Sequence, residues 1–64
     1  MYTVIIEDPI GVWARTSVSE LKYTHAFRKA WQLYKKIPYE VVLEREADRR
    51  IKDLNAEKLK GPRR

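Results

Sequence analysis

Apolar and polar residues alternate along Tyr2–Glu7, putting Tyr2, Val4 and Ile6 on one side of a stretch rich in β-branched residues. A period of two over such residues predicts a strand. Asp8-Pro9-Ile10-Gly11 follows. Proline suits the second position of a type I turn and glycine the fourth, so this tetrad predicts a reversal of the chain. Residues 12–16 alternate again, and the two strands with their turn make a hairpin. A third alternation over residues 39–44 sets Tyr39, Val41 and Leu43 on one side and predicts a third strand.

Between the second and third strands the period changes. Placed at about 100° per residue, Tyr23, Ala26, Phe27, Ala30, Trp31, Leu33, Tyr34 and Ile37 fall within an arc of roughly 160°, with Trp31 at its edge. This predicts a helix laid over the sheet by an aromatic-rich face, with Phe27, Ala30, Tyr34, Val41 and Leu43 buried together. Ser17-Val18-Ser19-Glu20 fits a capping box, with Ser19 as a competing cap, so the helix is expected to begin there. Pro38 ends it, because proline disfavours helical geometry in the residue before it and lacks the N–H that would continue the ladder.

From residue 45 the pattern is helical again to residue 60, where Gly61-Pro62 stops it. Its apolar stripe is only Ala47, Ile51 and Leu54, with Leu59 off line. Three anchors predict a helix that frays beyond Leu54, or one that completes an interface, such as a homodimer through Ile51 and Leu54. Glu46 with Arg50, and Asp48 with Lys52, stand four apart in the favourable order for ion pairs within the helix. The order β-β-α-β-α predicts the α+β class: a three-stranded, mainly antiparallel sheet with the first helix across one face and a charged C-terminal helix. Residues 1–60 are expected to form a single domain, followed by a basic tail at residues 61–64.

Composition narrows the chemistry. A 64-residue chain buries only about 60% of the surface it exposes when unfolded, so its core is thin. With no cysteine and one histidine, His25, it can form neither a disulfide nor a Cys/His zinc set. No loop carries the acidic spacing of a calcium site, so neither metal nor cofactor is expected. The longest apolar run is three residues and residues 1–7 lack a basic n-region. Neither a bilayer span nor a signal peptide is expected, and the cytoplasm is the expected location.

Charge changes the picture of the first helix. Fourteen Lys and Arg against nine Asp and Glu leave a net charge of +5. The arc opposite the apolar one carries Lys22, Thr24, His25, Arg28, Lys29, Gln32, Lys35 and Lys36: five cations and no acid. Solvated helix faces usually interleave both signs, because pairs four residues apart stabilise them. A same-sign face forgoes that stabilisation and fits a partner that supplies negative charge. Lys22, Arg28, Lys29, Gln32, Lys35 and Lys36 are therefore the candidate partner-binding residues. An acidic protein surface and the phosphate backbone of DNA or RNA both fit. Gln32 is the only amide on that face and no base-reading pair accompanies it, so sequence-specific groove reading is not expected. A protein partner is the leading expectation; nucleic-acid binding without sequence preference, through the same face and the tail residues Arg63 and Arg64, is the alternative.

Trp13 and Arg15 are secondary binding candidates. If Trp13 faces outward beside Thr3 and Ile5, the open sheet offers an aromatic with an arginine for unpaired bases. Otherwise Trp13 fills core or covers the far side of the sheet. The hydroxyl nucleophiles Ser17, Ser19 and three threonines have only His25 to serve as a base, and it lies on the basic helix face. Two glycines, Gly11 and Gly61, make no phosphate loop, and the small size leaves little room for a ligand pocket. No enzyme activity and no small-molecule substrate are expected. In size and economy the chain resembles the short accessory proteins of bacteriophages, prophages and plasmids. That resemblance rests on no motif and implies a modulator seated on a host protein.

Overall fold

In this computed structural model, which describes residues 1–60 and the side chains of residues 1–58, five elements follow one another. They are β1 (Tyr2–Glu7), β2 (Trp13–Glu20), α1 (Tyr23–Tyr34), β3 (Tyr39–Leu43) and α2 (Glu44–Lys60). The fold is α+β, with an antiparallel sheet in the order β2-β1-β3. The tail at residues 61–64, with Arg63 and Arg64, lies outside the described residues.

The central strand β1 buries both of its faces. Val4 on one side joins Val18 and Ala30, ringed by the half-buried Ile6, Tyr34, Tyr39 and Val41. Ile5 on the other joins Trp13 and Ala47, ringed by Val42, Ile51 and Leu54. Helix α1 covers the first face and α2 the second, so the sheet is the middle of three layers. Trp13 therefore packs under α2, and the open aromatic platform does not exist.

The hairpin turn follows its chemistry. The Gly11 N–H donates to the Asp8 carbonyl at 2.9 Å, and the Asp8 side chain accepts from the N–H groups of Ile10 and Val12. Gly11 sits at φ 91°, where a side chain would be strained, so the tetrad needs glycine at that place.

Strand β2 runs on through the residues expected to cap the first helix. Its register with β1 shifts between Thr3 and Ile5, so that β2 bulges opposite Val4. Side chains replace the lost ladder bonds: Thr16 Oγ1 donates to Val4 O at 3.0 Å and accepts from Val18 N–H at 3.1 Å. The buried Thr3 Oγ1 donates to Val18 O at 2.6 Å. This pairing, together with the burial of Val18, holds Ser17-Val18-Ser19-Glu20 extended and overrides the capping box. Helix α1 instead starts after Lys22 (φ −111°, ψ 141°) with no side-chain cap. It ends at Tyr34, before Ile37, whose N–H donates to the Tyr34 carbonyl at 2.8 Å.

Further expectations change. Phe27 is 45% exposed rather than core, because α1 meets the sheet through the fully buried Ala26 and Ala30. Two small side chains bring the helix close and push its bulky neighbours to the flanks. Helix α2 is pinned beyond Leu54: the Trp13 N–H donates to Asn55 Oδ1 at 2.8 Å, and Asn55 Nδ2 donates to Trp13 O at 3.2 Å. Lys58 also pairs with Glu7. Ile51 and Leu54 are half-buried against the second core, so this stripe holds α2 to its own sheet. The helical ion pairs are replaced by tertiary ones, Arg50 with Glu40 and Asp48 with Arg15.

Candidate functional site

Residues 21–39 contain five basic residues and no acid. Fourteen basic residues less these five leaves nine, against nine acids, so the rest of the chain is balanced. A net charge of +5 thus belongs to residues 21–39. Lys22 stands at the N-cap of α1 and Arg28, Lys29 and Gln32 within it, while Lys35 is its C-cap and Lys36 follows. All six are exposed.

These six do not act alike. Lys29 Nζ lies 2.8 Å from Glu20 at the end of β2, and its hydrogen bond is the main reason the Glu20 carboxyl titrates below its ordinary value. Lys29 is therefore tied to the sheet. Among the described residues, Lys22, Arg28, Lys35 and Lys36 make no ion pair, and they form the free part of the basic face. Arg15, on β2, is held by Glu44 at 3.3 Å and Asp48 at 3.2 Å, so it braces α2. Trp13 is 9% exposed.

Beside the cations runs an aromatic stripe that the periodicity had assigned to the core. Tyr23 and Phe27 are nearly parallel at 6.2 Å between ring centroids, and Trp31, 55% exposed, continues the line one turn on. Lys35 Nζ lies 5.5 Å from the centre of the Trp31 ring, a cation–π contact. Tyr23, Thr24, Phe27, Arg28 and Trp31 line a shallow depression of about 410 Å³. On the other side of the Tyr23–Phe27 wall, a second depression of about 300 Å³ is lined by Tyr23, Phe27, Tyr39, Glu40 and Val41. The signal that sequence reasoning missed is the pair Ala26 and Ala30. Small residues at the centre of an arc mark the true contact line, and aromatics at its edge then stand out of the core.

Among the described residues, no three His, Cys, Asp or Glu side chains come together as a metal site would need, and no helix is long and apolar enough to cross a membrane. Compared with known proteins, the chain matches no family model, no curated protein and no solved structure.

Proposed function

We propose that this chain is a non-catalytic binding module that docks α1 on an acidic protein surface. Trp31 is the apolar anchor, and Lys22, Arg28, Gln32, Lys35 and Lys36 form the polar rim. One observation supports this most: an indole that is 55% exposed stands among cations that no described carboxylate neutralises. Tryptophan and arginine are enriched where interfaces concentrate their binding energy, and a same-sign rim speeds association with an oppositely charged partner. A protein fits better than a nucleic acid because Lys35 already lies over the Trp31 ring, where a base would stack. Modulation of a host protein, as small accessory proteins of mobile elements do, is the setting this suits.

The test starts with capture from cell lysate, with and without nuclease, followed by titration of the purified partner. Lys35→Glu combined with Lys36→Glu should abolish binding, as should Trp31→Ala. The melts should stay near wild type, since exposed substitutions shift stability within about 0.5 kcal/mol. Full binding by the charge-reversed protein would refute the reading. A nuclease-sensitive partner, with log affinity falling against log salt by about 0.9 per phosphate contact, would assign the face to nucleic acid instead.

A further inference from the structure

Helix α1 shows solvent two unlike rows of side chains, in each of which residues stand four apart. Tyr23, Phe27 and Trp31 make an aromatic row about 12 Å long that ends at Lys35. Thr24, Arg28 and Gln32 make a polar row beside it, which Lys36 continues beyond the helix. Rows of this spacing are the ridges of a helix, and the groove between two of them receives the ridge of another helix. Here that groove is the depression lined by Tyr23, Thr24, Phe27, Arg28 and Trp31. Its banks differ in chemistry: one is aromatic and about half exposed, the other cationic.

We propose that this groove holds an acidic amphipathic helix of the partner protein, an inference that rests on the reading of α1 as a docking face. Charge selects the occupant. Arg28 is the one charged residue lining the depression, and among the described residues neither it nor Lys22, Lys35 or Lys36 makes an ion pair. A guanidinium takes a carboxylate in a bidentate pair, so a Glu or Asp beside the partner's apolar ridge completes Arg28. The depression on the far side of the aromatic row has one charged residue, Glu40, which already accepts from Arg50 at 2.8 and 2.9 Å. The partner's acids therefore belong on one flank of its ridge alone. A second copy of this chain does not meet that description. Its α1 is cationic, and the apolar stripe of its α2, with Ile51 and Leu54, is turned to its own sheet.

Conformation follows from the backbone. The groove is made of side chains, because the amides and carbonyls of α1 beneath it bond along the helix. An extended segment lying there leaves its own N–H and C=O groups against aromatic rings without partners, whereas a helix satisfies them internally. The aromatic row is long enough for apolar residues at i, i+4 and i+8 of a helix that crosses α1 at roughly 50°, where two such ridges interlock. Phe27 then meets the middle residue of the ridge, and Arg28 meets its acidic neighbour.

The probe is a synthetic peptide of about sixteen residues, long enough to form a helix on binding. It carries leucine at i, i+4 and i+8, glutamate at i+1, i+5 and i+9, and alanine and glutamine elsewhere. It should bind with a gain of helical circular dichroism. Its affinity should exceed, by about tenfold or more, that of polyglutamate and of a peptide of the same composition with its leucines spread round the helix. Arg28→Glu should melt near wild type and weaken binding about tenfold. Lysine in place of the central glutamate of the peptide should then recover most of that loss. Equal binding by polyglutamate, binding without helix formation, or failure of the charge exchange overturns the proposal. No binding at millimolar peptide does the same, as does tighter binding of oligothymidylate. A captured partner that needs Lys35 and Lys36 but is not displaced by the peptide refutes the helix and leaves the docking face standing. A partner indifferent to those two lysines sinks both.

Discussion

Ala26 and Ala30 determine how near α1 lies to the sheet, and their consequences can be weighed against those of Phe27. Both alanines are fully buried, so Ala30→Leu forces extra volume into a close contact and should cost about 1–3 kcal/mol. Phe27 is only about half removed from water, so Phe27→Ala should cost about 1–2 kcal/mol, well short of a full core deletion. Urea unfolding of the two variants measures both. A larger loss for Phe27→Ala would show that the ring is core after all. Glu40 supplies a second test at this scale. Hydrogen bonding from Arg50 is the main reason its carboxyl titrates below the ordinary value. A pKa depressed by folding contributes stability that is complete above the unfolded value of about 4.3 and is lost as pH falls through the folded one. Both partners are partly exposed, so solvent screening keeps the pair's contribution small. As pH is lowered from about 5 to 3, the melting temperature of wild type should drop more steeply than that of Glu40→Gln. Parallel curves would show the pair to be thermodynamically idle.

At the scale of elements, α2 carries the sharpest expectation. Asn55 closes both backbone polar groups of Trp13, so the amides of α2 through its third turn should exchange about as slowly as those near Ala47. In Asn55→Ala the Trp13 N–H is left without its acceptor, a cost of about 1–3 kcal/mol. Protection should then be lost selectively after Leu54; unchanged exchange would mean that the side chain pins nothing. The strands, the Asp8–Gly11 turn and the helical run of α2 were legible in the sequence, because each follows from a local period or a turn residue. The end of β2 was not. Ser17-Val18-Ser19-Glu20 satisfies a capping box and a strand equally, and the decision rests with Thr3, Thr16 and Val4, which are distant in the chain or silent in periodicity. Asn55 was missed for a similar reason, since a lone amide on a charged helix shows nothing of the strand it meets. In the candidate site the cations were legible, as was the edge position of Trp31. Periodicity ranks directions around a helix but not depth, so the exposure of Phe27 and the pairing of Lys29 with Glu20 required the packed structure.

The described molecule is two cores on one sheet, with five cations and no acid in the segment that forms the α1 layer. The α2 layer neutralises itself through pairs that reach the sheet, from Glu44 and Asp48 to Arg15 and from Arg50 to Glu40. The α1 layer has one such pair, Lys29 with Glu20. Charge is thus used differently on the two faces: the α2 face uses its charges to brace the fold, and the α1 face keeps Lys22, Arg28, Lys35 and Lys36 unpaired among the described residues. The central place of β1 has a further consequence for how the protein is made. Its residues leave the ribosome before those of the other elements, yet the second core around Ile5 closes only when Ala47 and Ile51 of α2 have followed. Until then the hairpin and α1 can cover Val4, while Ile5 and Trp13 stay bare. The nascent chain therefore carries an apolar surface that the folded sheet hides, and its solubility during translation depends on how soon α2 is released.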